Sequence, residues 1–192
     1  LLKESIVKVE SVRDLIFAEI FKKDSPIARE FYESLRDVPE VKSWVMDHLD
    51  VFKDLALYPL LVKTIPTLSK EDLLKVFAFV ETLDSTYDVG FLDTYLKGKD
   101  EELKEGAAFI LTSRGDRRGL EIMLPLCDEN DMKRQLRCLN AIKGIPTDTD
   151  VVERARMFLY GDPDPQILYA VYDLFTRAGD SSIYERMVAR LE

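Results

Sequence analysis

Leu136-Arg137-Cys138-Leu139-Asn140-Ala141-Ile142, followed by Lys143-Gly144-Ile145-Pro146-Thr147-Asp148, is the stretch on which the fold turns. Leu136, Leu139 and Ile142 recur every third residue, the spacing of one helix face, and a glycine and a proline then interrupt the helix before an aspartate. The same succession surrounds two other aspartates. Ala107 to Leu111 leads to Arg114-Gly115-Asp116, and Leu168 to Phe175 leads to Ala178-Gly179-Asp180. Asp84, Asp116, Asp148 and Asp180 lie 32 residues apart, Glu121, Glu153 and Glu185 recur at the same step, and so do Arg154 and Arg186. Aligned ladders with aligned turns indicate a tandem repeat whose unit is a helical hairpin. Gly115, Gly144 and Gly179 fall just past the first helix, where a left-handed residue lets the chain stop and turn. A helix pair cannot bury both its apolar stripes alone, so successive pairs are expected to stack around a continuous core.

The remainder also reads as all-α. No six-residue stretch alternates β-branched and polar residues between turn signals, whereas i, i+3, i+4 apolar spacing is general. Ser69-Lys70-Glu71-Asp72 precedes Leu73, Leu74, Val76, Phe77 and Val80, a serine cap with an acid three residues on. Ser25-Pro26 and Asp162-Pro163 mark two more starts, because proline lacks only an N–H that the first turn leaves unused. Ser25 to Arg36, Val41 to Leu49 and Val51 to Ile65 are expected as helices, without a 32-residue ladder. Residues 1–67 are therefore expected to be divergent repeats or an N-terminal cap, continuous with repeats over 68–192.

The 192 residues, 46% hydrophobic and 33% charged, make a globular composition. Lysine plus arginine number 27 and aspartate plus glutamate 36, a net charge of −9 that fits a polyanion poorly, so no nucleic-acid partner is expected. Residues 1–67 carry 10 basic against 12 acidic side chains, and residues 68–192 carry 17 against 24. The longest apolar run, Leu55 to Val62, falls far short of the ~20 residues that cross a bilayer. The first residues carry no secretory signal pattern, and two cysteines, Cys127 and Cys138, build neither a disulfide framework nor a zinc site. A reducing, cytoplasmic setting is expected. The missing initiator methionine suggests an excised or processed chain, and the four asparagines and glutamines among 63 charged residues suggest heat adaptation.

With its repeats, the chain resembles the HEAT-like family, the two-helix solenoid unit that also underlies phycobilin lyase-type repeat proteins. The resemblance rests on Gly161-Asp162-Pro163-Asp164-Pro165-Gln166-Ile167-Leu168-Tyr169-Ala170-Val171 with Arg177-Ala178-Gly179-Asp180, and on Asp100-Glu101-Glu102-Leu103-Lys104-Glu105-Gly106-Ala107-Ala108. It covers four units, 68–99, 100–130, 131–162 and 163–192, and implies a right-handed superhelix of stacked antiparallel helix pairs. It also implies that a turn aspartate and a basic residue six positions on form a hydrogen-bonded ladder between repeats. Asp148 with Arg154 and Asp180 with Arg186 match; Asp116 and Asp84, followed six on by Ile122 and Gly90, do not. Second helices in this family usually line the concave surface, which brings Glu121, Glu153 and Glu185 forward as an acidic binding ladder.

Few residues invite chemistry. His48, the single histidine, has no ExxH partner, since position 45 is Val, and is expected as an ordinary helix residue. Cys127 and Cys138 are expected as core thiols. Asp150-Val151-Val152-Glu153 and Ser182-Ile183-Tyr184-Glu185 fit capping boxes, a role compatible with binding. Arg117 and Arg118 have no partner at the ladder spacing, and with Arg156 and Arg190 they join the glutamates as partner-binding candidates. Tyr160, Tyr169, Tyr172, Tyr184 and Trp44 are expected in the core, although tyrosine and arginine also anchor interfaces. Pro125 should kink or shorten its helix.

No catalytic residue, cofactor or metal site is expected. The function expected is a non-catalytic interaction or scaffold module that holds a protein or peptide, basic by charge complementarity, on stacked second helices, with no membrane partner. The last helix, near Tyr184 and Met187, is expected to expose a face for self-association. The alternatives are a HEAT-like enzyme, glycosylase-like or bilin lyase-like, and a piece of a larger helical-repeat assembly.

Overall fold

A computed structural model describes residues 15, 18–19, 26–35, 38–126, 131–145, 149–159, 163–179 and 181. Among these the protein is all-α, without a strand. The chain divides into two compact units, Leu1–Phe91 and Leu92–Glu192. The repeat expected over 68–99 thus contributes one helix to each.

In the first unit, α1 (Pro26–Leu35), α2 (Pro39–Asp47), α3 (Tyr58–Thr64) and α4 (Lys70–Glu81) are joined by 3-10 turns at Leu49–Lys53 and Ile65–Thr67. Prolines open α1 and α2, and α4 begins as its sequence dictates. The Asp72 amide donates to Ser69 Oγ at 3.2 Å while that hydroxyl donates to the Asp72 carboxylate at 2.8 Å. The single helix expected over Val51 to Ile65 is instead broken. Asp54 accepts the Ala56 amide at 2.8 Å, and this side-chain turn competes with the helix it interrupts. Trp44, Phe52, Leu61 and Phe77 are buried here, with Tyr32 edge-on to Phe52 at 5.8 Å.

In the second unit, α5 (Leu92–Leu96), α6 (Glu101–Ser113), α7 (Arg117–Leu126), α8 (Met132–Ile142), α9 (Thr149–Arg156) and α10 (Pro165–Ala178) follow in order, with a 3-10 turn at Met157–Leu159. Aspartates cap three of them: Asp100 accepts from Leu103, Asp131 from Lys133 and Arg134, and Asp164 from Gln166. Asp164-Pro165, not Asp162-Pro163, therefore opens α10, two residues later than expected. Likewise α9 starts at Thr149, one residue before Asp150. Pro125 stands one residue before the end of α7, as a shortened helix requires.

α6 packs on α7 and α8, and α8 packs on α10. Their shared core includes Phe109, Met123, Leu139, Ile142, Val171 and Leu174. Two close approaches hold the stack. A β-carbon at 119 would press into the Ala108 carbonyl and lie 2.6 Å from Thr112 Oγ1, so only glycine admits α7 this near α6. Gly115 and Gly179 are left-handed as expected, at φ 87° and 67°. Gly144 is not; its missing side chain instead makes room for the Ser113 carbonyl, and a β-carbon would also lie 2.7 Å from the Thr112 carbonyl oxygen. Glycine serves at this turn through proximity to the end of α6 rather than through backbone freedom.

Gly119→Ala and Gly144→Ala should each lower the unfolding free energy by about 1–3 kcal/mol, the cost of overpacking a fitted contact. Urea denaturation monitored by circular dichroism reads this, and unchanged midpoints would refute the two approaches.

Candidate functional site

Of the residues singled out in the sequence, Arg117, Arg118 and Glu121 lie on α7, and Glu153, Arg154 and Arg156 on α9. Asp148, Asp180, Glu185, Arg186 and Arg190 lie outside the described residues, as do Cys127, Tyr160, Tyr184 and Met187, so the structure places neither aspartate–arginine rung.

Arg118 is not partnerless. Asp116, immediately before α7, accepts the Arg118 amide at 3.0 Å, and the guanidinium Nε lies 3.0 Å from both oxygens of that carboxylate. Its Nη1 reaches Asp93 on α5 at 3.0 Å. The clamp joins α5 to the start of α7 through residues two and 25 positions from Arg118, spacings the six-residue rung does not cover. The guanidinium hydrogen bond holds Asp116 below the usual carboxylate range, outweighing desolvation, which acts in the other direction. Asp173 on α10 is lowered similarly by Lys143, whose ammonium lies 2.9 Å away.

Further charged ties join neighbouring helices. Arg134 on α8 forks onto Glu105 on α6, Nε to Oε1 at 3.1 Å and Nη2 to Oε2 at 2.7 Å. Arg137 stands 4.2 Å over the Phe109 ring, and Arg156 lies 5.5 Å from the centroid of Phe175. The sequence reading missed the Arg134–Glu105 and Lys143–Asp173 pairs, which span 29 and 30 residues rather than 32. A search for opposite charges at slightly less than one repeat would have found both.

Arg154 joins the two second helices. Its Nη2 donates to the Leu124 carbonyl oxygen at 3.5 Å and Nη1 lies 3.8 Å from Met157 Sδ, so the last turn of α7 meets the end of α9 at this guanidinium. Around it Glu121, Pro125, Glu153 and Met157 are exposed. Each glutamate precedes its apolar companion by four residues, one helical turn on the same face.

Other features have ordinary explanations. His48 closes α2, its Nδ1 2.9 Å from the Trp44 carbonyl oxygen and its ring stacked on the buried indole at 4.3 Å. Cys138 is fully buried. Tyr169, expected in the core, is 74% exposed, whereas Tyr172 packs partly against it. A cavity of about 150 Å³ in the first unit is lined by Tyr32, Val41 and Met46 with Lys42 and Lys63. Those ammoniums already face Asp72 and Glu33, each at 3.4 Å, which leaves little preference for an anion. Among the described residues no group of three or more His, Cys, Asp or Glu is placed to hold a metal ion, and no helix is long and apolar enough to cross a membrane.

Comparison with known proteins finds no matching family model, no matching curated protein and no matching solved structure.

Because Asp116 and Asp173 are lowered in the folded state, each stabilises the fold above the usual carboxylate range. That contribution disappears as the pH falls through the folded value. Between about pH 5 and about pH 2, wild type should lose more melting temperature than Asp116→Asn/Asp173→Asn, which starts lower. Parallel losses would show that neither pair contributes.

Proposed function

We propose that the second unit is a short HEAT-like, right-handed solenoid acting as a non-catalytic interaction module, with the face of α7 and α9 as its binding surface. The observation that carries this reading is the order of packing. Each first helix meets the next, α6 with α8 and α8 with α10, with an ion pair at each step. Stacking in chain order is what a repeat array requires, since each unit buries its apolar face against its neighbours. It leaves α7 and α9 with exposed charged and apolar side chains on one side. Their partner is a protein or peptide segment.

Affinity capture from a lysate of the source organism, read by mass spectrometry, tests this. Wild type should recover a specific protein that Arg117→Glu/Glu121→Lys loses, while Arg118 is left intact to keep its clamp. No specific protein from wild type, together with turnover of a small substrate, would overturn the proposal.

A further inference from the structure

The cavity of the first unit is chemically two-sided. Val41 and Val45, one turn apart on α2, are buried, as is Met46, and Leu68, just past the second 3-10 turn, is half-buried. These side chains give the cavity an apolar wall, and Lys42, Lys63, Thr64 and Thr67 line it as well. At about 150 Å³ it matches a cavity that takes up one benzene molecule, so it admits an apolar group of about four to six carbons.

The polar side sorts by hydrogen-bonding role. An ammonium only donates. Thr64 Oγ1 donates to the Leu61 carbonyl oxygen at 2.7 Å, and Thr67 Oγ1 donates to that of Thr64 at 2.8 Å. With those protons committed, both hydroxyl oxygens have only lone pairs to offer. Lys42 faces Asp72 and Lys63 faces Glu33, each at 3.4 Å, longer than the ~2.7–2.9 Å of a close charge-assisted bond. These four charges cancel, yet they set donors and acceptors of both signs side by side.

We propose that this cavity binds a small zwitterion with an apolar body, a free α-amino acid whose side chain is branched and aliphatic, of leucine size. The side chain packs on Val41, Val45 and Met46. The carboxylate accepts from Lys42 and Lys63, and the ammonium donates to the threonine oxygens and to the carboxylates that face the lysines. Charge balance selects this ligand. A simple anion could bond the ammoniums only by drawing them from Asp72 and Glu33, and a simple cation would compete with the lysines for the same two carboxylates. A wholly apolar molecule would strip water from the polar groups and return no hydrogen bond. A zwitterion answers both signs and leaves the net charge unchanged. The inference does not rest on the interaction reading of the second unit.

The test is a titration of the full chain with L-leucine, followed through its amide chemical shifts by NMR. Three control ligands divide the molecule: isocaproate lacks the amine, isoamylamine lacks the carboxylate, and glycine lacks the side chain. Leucine should shift amides within residues 41–46 and 63–68, the segments that line the cavity. Each control should bind about tenfold more weakly, the loss of one charged hydrogen bond or of the apolar contact. Lys42→Met/Lys63→Met should weaken leucine about tenfold and bind isoamylamine more tightly than wild type does, because Asp72 and Glu33 then lose their cations. Circular dichroism verifies the variant. The ligand series is read on wild type, so it decides the matter even where the variant does not fold.

Isocaproate or isoamylamine binding wild type as tightly as leucine would overturn the proposal. So would glycine equal to leucine, shifts confined to other residues, or no shift with any of the four.

Discussion

A helix of 11 to 14 residues is marginal alone in water, and α6, α8 and α10 have these lengths. Their order therefore depends on the apolar side chains they share. Phe109, Leu139, Ile142, Val171 and Leu174 are each almost wholly withdrawn from solvent, worth about 1.5–3 kcal/mol apiece relative to exposure. The packing distance is set by backbone rather than by side-chain bulk. At Gly119 and Gly144 one helix or turn rests directly on the carbonyls of another, so the core is closed by absent atoms as much as by present ones.

Charge finishes what the core begins. Half-buried pairs such as Arg134 with Glu105, and Lys143 with Asp173, sit at the margins between successive helices. A forked guanidinium fixes direction as well as distance, and so specifies register where leucine against leucine would tolerate a shift. Arg118 does the same for the short α5, which also buries Leu92 and Leu96. Net charge alone misleads here, because most of the acids described in the second unit are engaged in helix caps or ion pairs.

The helical class, the caps at Ser69, Asp100 and the first residues of several helices were legible because they depend on side chains within four residues of each other. Gly115 and Gly179 were legible for the same reason. What the sequence concealed depends on distant partners, or on a local contest between side chain and backbone. Gly144 looks like a turn glycine but is required by the carbonyl of Ser113, 31 positions earlier. Arg118 looks unpaired until α5 brings Asp93 to it. Asp54 is an ordinary acid until its side chain captures the Ala56 amide and breaks the helix around it. Of the candidate site, the 32-residue spacing of Glu121 and Glu153 was readable, but not that Arg154 would join their helices, since that bond is made to a backbone carbonyl and leaves no trace in residue identity.

That last bond explains why the face is coherent. An exposed glutamate or methionine on an isolated helix is common and carries little meaning. Arg154 changes this by fastening the end of α7, through Leu124, to the start of the 3-10 turn that carries Met157. The ends of the two helices are thereby held together by a side chain on one and a backbone carbonyl on the other. The core fixes the first helices, one arginine joins the second helices, and the side chains that neither task consumes face outward.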